Sequence, residues 1–371
     1  MALLSGSTER CGSIIGTNKG ISAMKIVTSH QMREIESLSL ENGISSDMLM
    51  ETAGLAVAKR VREYLGHLER KRAIVLVGPG NNGGDGLVVA RHLNWWGILD
   101  SVYLCANRYL EDPKLMAVRD QGVDVVSVDD DHGLSRLRAM LSSVDLVVDA
   151  ILGTGQSRPI EGKVKDVLLE LAEEKARRDN MRVLALDIPT GLNADTGMVD
   201  LVCPFADITA TLGYPKVGLY LFPGAEHVGR IEVVDIKIPA GLDKGVCLDL
   251  MTEEWARSIF PARKMSDDKR SFGRTLVFAG SRRFVGAASL AAAAVLRSGA
   301  GSVALAVPES LQALVAASTP EPTYLPLTES SPGVLDASAA DQILQRLNNY
   351  DSLLVGCGLG QDNVTADILE R

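Results

Sequence analysis

The sequence predicts an α/β protein: a Rossmann-like three-layer parallel sheet, followed by an incomplete second α/β domain. Three observations carry this reading. Short β-branched apolar runs alternate with stretches of helical periodicity, the pattern of βαβ units. The runs are apolar throughout, as strands buried on both faces must be. Clusters of glycine follow several of them, where the strand-to-helix turns of such sheets fall.

Taken in order, residues 1–23 lack a basic region followed by a long apolar core. They read as a loose tail, or as an upstream start before Met24, and not as a signal peptide. Folded sequence is expected from Met24. Thr28 or Ser29 caps a first helix that ends at Asn42-Gly43, and a second helix covers DMLMETAGLAVAKRVREYL. Strands are then expected at 73–78, 101–106, 123–128, 144–150, 182–188, 207–212 and 230–238, with helices between most of them. The first domain is thus placed at 24–238. Residues 239–271 are polar and turn-rich and read as a linker. A second βαβ run occupies 272–371, with strands in RTLVFAG, SVALAVP and DSLLVGCGLG and an Ala-rich helix that Gly299 ends.

Composition excludes several functions. Of the 371 residues, 38 are Lys or Arg and 47 are Asp or Glu, a net charge of −9. Binding to nucleic acid or an anionic membrane needs a basic surface, so neither partner is expected. Aromatics at 4% argue against a base-stacking platform. No apolar run reaches membrane-span length. The five cysteines are scattered without a CxxC, and the five histidines without an HExxH. Neither a disulfide scaffold nor a zinc site is indicated, and a cytoplasmic setting is the simplest expectation. A homo-oligomer is compatible with all of this.

Three segments carry chemistry. GPGNNGGDG (78–86) follows a strand and opens a helix. Its glycines let backbone N–H groups approach an anion at a helix N-terminus. Gly78, Gly80 and Gly83 also spell G-x-G-x-x-G, but the next strand, SVYLCA, ends without the ribose-binding acid. Asp149 ends the next buried strand but two and leads into ILGTGQSRP, which reads either as a phosphate-wrapping loop or as a simple helix cap. Asp187 ends another strand and opens DIPTGLN. Polar strand ends of one parallel sheet converge on one rim. The oxygens of Asn82, Asp149 and Thr190 would suit a hard cation, leaving Asp187 as the free carboxylate for proton transfer.

GPGNNGGDG, VDAILGTG and DIPTGLNADTG, in that order and spacing, resemble the NAD(P)H-hydrate epimerase family, as do TLGYPKVGL and MKIVTSHQMREIE. The resemblance covers about residues 24–238. It implies interconversion of the R and S forms of hydrated NADH and NADPH (NADHX and NADPHX), which carry a water at C6 of the nicotinamide ring. It implies that Asn81, Asn82, Gly83, Gly84 and Asp85, with Gly153, Thr154, Gly155, Gln156, Ser157, Arg158 and Pro159, contact the substrate. It further implies that Asn82, Asp149 and Thr190 ligate a potassium ion and that Asp187 meets the hydrated ring. Thr190 stands where the family more often has Ser. Lys216 lies in a family motif, but reads equally well as a solvated loop lysine.

From Phe272 the sequence resembles the first part of the ribokinase-like ADP/ATP-dependent NAD(P)H-hydrate dehydratase family. In complete form that domain is implied to restore the S hydrate using ADP or ATP with Mg2+. Ala287 and Gly358 match substrate-side positions, or serve only helix packing and a turn. Cys357 replaces a usual Pro, and no Gly-Thr-Gly-Asp occurs after Phe272. The chain is therefore expected not to dehydrate its substrate unaided, and its partial sheet to leave an apolar strand edge uncovered. The competing readings are a nicotinamide-dependent oxidoreductase using GPGNNG as its fingerprint, and a nucleotide-binding scaffold without turnover.

Overall fold

The computed structural model describes residues 24–66, 72–156 and 158–371. They form two compact units that divide between Phe260 and Pro261.

The first unit opens with β1 (Met24–Lys25), α1 (Ser29–Glu41) and α2 (Ser46–Leu65). Thr28 caps α1 reciprocally: the Gln31 N–H donates to Thr28 Oγ1 and the Thr28 N–H to Gln31 Oε1. The strand–helix alternation follows as β2 (Ala73–Val77), α3 (Asn81–Trp95), β3 (Leu99–Leu104), α4 (Pro113–Asp120), β4 (Val125–Ser127), α5 (Ser135–Ser143), β5 (Leu146–Ala150), α6 (Gly162–Arg177), β6 (Arg182–Leu186), β7 (Ile208–Leu212) and β8 (Arg230–Val234). Among the described residues these strands make one seven-stranded sheet in the order β4-β3-β2-β5-β6-β7-β8. Every pairing in it is parallel.

Alternate strand residues feed two cores, one on each face. Ala73, Val75 and Val77 pack with α1 to α4, whereas Ile74 and Leu76 pack with Leu137, Leu141 and Leu171 of α5 and α6. A fully buried aliphatic side chain of this kind contributes about 1.5–3 kcal/mol, so both faces must be apolar, as the sequence pattern demanded. The unit closes with β9 (Asp249–Leu250), antiparallel to β1, and α7 (Glu253–Ile259). Val246 joins the same core. Residues up to Phe260, within the stretch read as a linker, therefore fold with the first unit.

The second unit runs β10 (Arg274–Phe278), α8 (Val285–Arg297), β11 (Ser302–Pro308), α9 (Gln312–Ser318), β12 (Thr323–Leu327), β13 (Glu329–Ser331), β14 (Val334–Leu335), α10 (Ala339–Leu347), β15 (Ser352–Val355) and α11 (Asn363–Glu370). Its parallel sheet has the order β12-β11-β10-β15. Gly299, at φ +109°, follows the end of α8. Leu353 and Val355 of the outer strand β15 are more than a third exposed.

Candidate active site

In the first sheet, β2 neighbours both β3 and β5, so the chain winds outward in opposite directions from the β2–β5 pair. Such a switch point opens a crevice at the carboxyl ends of the two strands. GPGNN follows β2 and ILGTG follows β5, so both loops fall there. They touch: the Gly78 N–H donates to the Ala150 carbonyl at 3.1 Å. A Cβ on Gly78 would lie 1.8 Å from the Ile151 carbonyl oxygen, and one on Gly83 would lie 2.1 Å from that of Gly78. Only glycine permits these approaches. Gly78→Ala is expected to destabilise the first unit by about 3 kcal/mol, read as a lowered midpoint in thermal unfolding.

Arg108, beyond β3, locks the turn from behind. Its Nη1 donates to the carbonyls of Gly78 (2.9 Å) and Gly80 (3.0 Å), and its Nη2 pairs with Asp112 at 2.6 Å. Among the described residues no side chain caps α3, whose N-cap is Gly80. The N–H groups of its first turn are thus left for a ligand, and the helix dipole favours an anionic one. The loops after β5 and β6 are also tied together, since the Gly191 N–H donates to Gln156 Oε1 at 2.9 Å.

These loops wall a cavity of about 790 Å³, which α1 and α2 close from the side with Met32, Glu36 and Met50. Asn81, Asn82, Asp85, Gly153, Thr154, Gly155, Gln156, Arg158, Pro159 and Asp187 all line it. Gly83 and Gly84 sit buried behind the wall, against Gly78, Arg108 and Met50. Ser157 lies outside the described residues.

Asp187 stands just past β6 with φ +69°, a left-handed conformation that costs a non-glycine residue free energy. Its Oδ1 accepts from the Leu212 N–H (3.0 Å), from Thr211 Oγ1 (3.3 Å) and from Lys216 Nζ. Among the described residues, no donor takes Oδ2. Lys216 is only 1% exposed, and its ammonium also donates to the Leu212 carbonyl at 3.0 Å. The solvated-loop reading of Lys216 is therefore overturned: the lysine is buried, paired and in the cavity wall. Two further carboxyls share the cavity. Burial, reinforced by the charges of Asp187 and Glu36, pushes Asp85 up to about 8. Burial likewise raises Glu36 above the ordinary carboxyl range, against the pull of Lys216.

Beneath the cavity floor, Asp149 is fully buried and bonded to Thr190. Thr190 Oγ1 donates to Oδ1 at 2.6 Å, and its N–H to Oδ2 at 2.8 Å. Burial raises the Asp149 carboxyl, opposed by these bonds. Among the described residues no basic side chain pairs with it. Asn82 packs beside Gly153, and its Nδ2 is buried without a partner among the described residues. A buried carboxylate lacking a counter-charge, with the hydroxyl oxygen of Thr190 on it, fits a small cation held by oxygens. No cluster of His, Cys, Asp and Glu suited to a metal occurs among the described residues.

In the second unit, Ala287 and Gly358 do come together. A Cβ on Gly358, whose φ is +72°, would lie 2.5 Å from that of Ala287, and Ser281 Oγ donates to the Gly358 carbonyl at 2.8 Å. The sequence reading missed Glu36 and Arg108. Nothing local marks either: Glu36 is one of several acids on an amphipathic helix, and Arg108 works from a loop 30 residues beyond the turn it secures.

Residues 46–218 match the family described as YjeF-related protein N-terminus, and residues 275–371 the family described as NAD(P)H-hydrate dehydratase. A curated relative from Moorella thermoacetica, named bifunctional NAD(P)H-hydrate repair enzyme Nnr, is 39% identical over 94% of this chain and 66% of its own length. One of the same name from Salinibacter ruber is 34% identical over 93% of this chain and, again, 66% of its own length. The chain thus spans a little under two thirds of these relatives. A solved yeast protein, YNL200c, is 29% identical, with a TM-score of 0.47 over 55% of this chain and 84% of its own. The chain belongs to the YjeF-related N-terminal family in its first unit and to the NAD(P)H-hydrate dehydratase family in its second.

Proposed function

We propose that the first unit is an NAD(P)H-hydrate epimerase, interconverting the R and S forms of NADHX and NADPHX. The observation that carries this is the buried Asp187–Lys216 pair, set in a cavity at the sheet's switch point beside an uncapped helix N-terminus. The glycine turn and the 153–159 loop supply donors for a pyrophosphate, while Asp187 and Lys216 supply proton-transfer chemistry for the ring. Asp187 Oδ1 is held by three donors, which aims Oδ2 as the base. The test supplies separated R and S isomers to the purified protein and follows their equilibration against a no-enzyme control. An unaltered spontaneous rate would end the proposal. The oxidoreductase reading lacks its ribose acid, since β3 runs into the buried thiol of Cys105.

In this reading Asn82, Asp149 and Thr190 hold potassium, which would offset the charge of the substrate phosphate and fix the three loops. Asp149→Ala is expected to lower the thermal midpoint and weaken substrate binding together. Exchange of potassium for a large organic cation should slow equilibration, and unchanged activity would count against the site.

The second unit would, in complete form, dehydrate S-NAD(P)HX with ADP or ATP and Mg2+, with Ala287 and Gly358 beside the substrate. A cytoplasmic setting suits the substrate, a product of the nicotinamide pool. No helix among the described residues is long and apolar enough to cross a membrane.

A further inference from the structure

Interchanging the two faces of C6 by loss and return of water takes an acid as well as a base. Water leaves from one side and returns from the other, and hydroxide is too basic to leave unprotonated. The cavity holds three carboxyls, and they are not alike. Asp187 is paired with Lys216. Glu36 faces both Lys216 and Arg33. Asp85 lines the same cavity, is only 9% exposed, and accepts no hydrogen bond or ion pair among the described residues. It sits on rigid α3, five residues beyond the N-cap, and is aimed into the cavity without a partner.

We propose that Asp85 is the catalytic acid that works with Asp187. This deepens the epimerase reading and rests on it. The Asp85 carboxyl gives its proton to the C6 hydroxyl oxygen. The C6–O bond then breaks, and that oxygen leaves as water. The lone pair of ring N1 forms the N1=C6 double bond. A second water adds to C6 from the opposite face, and the N1=C6 π pair returns to N1. The proton of the added water passes to Asp187 Oδ2. The product is the opposite hydrate, with Asp85 one proton poorer and Asp187 one richer. The reverse reaction uses the same two groups with their roles exchanged, and solvent resets the pair between turnovers.

The surroundings keep Asp85 neutral until it is needed. The groups facing it are Asp187 and Lys216 from the strand ends, Glu36 from α1 and Lys114 from α4. Arg33 and Arg158 also line the cavity, and Arg108 lies behind the same stretch of α3. Burial is the largest influence and the two acids reinforce it, so the proton stays on up to about pH 8. A proton donor is most effective when its pKa lies near the working pH.

The test compares wild type with Asp85→Asn, an amide of the same shape that cannot give up a proton. Wild type should equilibrate the isomers, and Asp85→Asn should slow kcat by roughly 10²-fold or more with KM little changed. Wild-type kcat/KM should fall above about pH 8, and the variant should lose that limb. Stability supplies a readout independent of activity. A carboxyl whose pKa rises on folding favours the fold fully only below its unfolded value, and loses that contribution as pH rises through the folded one. The variant should therefore gain thermal midpoint over wild type as pH rises from about 4 to about 8. An active wild type with an Asn variant within threefold of it would overturn the role of Asp85. So would a variant that unfolds more readily than wild type at pH 8. An inactive wild type would instead overturn the epimerase reading.

Discussion

Asp187→Asn is expected to slow equilibration of the R and S hydrates by roughly 10²–10⁴-fold, the usual contribution of a positioned acid–base group. The amide keeps the shape and can still accept from the Leu212 N–H through its oxygen. It cannot take a proton where Oδ2 stood. Among the described residues no histidine lines the cavity to substitute. The measurement is an initial rate from each pure isomer, with spontaneous equilibration subtracted. An Asn variant as fast as wild type would remove Asp187 from the chemistry. The left-handed φ of +69° is one that asparagine also tolerates, so the fold should survive the change.

The second large effect is on stability. Lys216→Met removes the ammonium from a site that is 1% exposed and leaves Asp187 without its counter-charge. Breaking a buried pair from one side costs about 3–5 kcal/mol. Asp187 keeps slight access to the cavity, so the lower end is expected, roughly 3 kcal/mol and a midpoint fall of about 6–12 °C. The double variant, Asp187→Asn with Lys216→Met, should recover much of this loss, because no charge is then stranded. Additive losses in the double-mutant cycle would show that the two side chains do not act as a unit.

The sheet was legible because its strands are apolar on both faces. Each strand expected between residues 73 and 238 is present, since parallel strands buried by helices leave no other pattern. The pairing of β9 with β1 was not legible: two residues per strand are too few for any periodicity. Strand β12 escaped for a different reason. Pro326 argues against a strand interior, yet here the strand is the sheet's edge, where a missing N–H goes unused. In the site, the three motifs named the loops because glycines and strand-end acids sit contiguously. Lys216 stayed ambiguous because sequence gives its charge but not its depth. Its depth depends on Val27, which bridges to it, and on Asp187, which pairs with it, both far away in sequence. The raised pKa of Asp85 was beyond sequence altogether, being set by burial and then by Asp187 and Glu36, 102 residues after it and 49 before it.

Arg108 gives the glycine turn a direction. Carbonyl and amide of one peptide point opposite ways, so drawing the Gly80 carbonyl toward the guanidinium turns the Asn81 N–H away from it. Pro79 carries no N–H to compete. Two carbonyl oxygens that would repel a phosphate are thereby held out of its path before any ligand arrives. In the proposed function the turn then answers to charge alone, and does not tell one base or ring from another. In that reading a hydrated nicotinamide riboside, which lacks phosphates, would gain nothing from it, so the turn would separate nucleotides from nucleosides and leave the ring to be judged elsewhere.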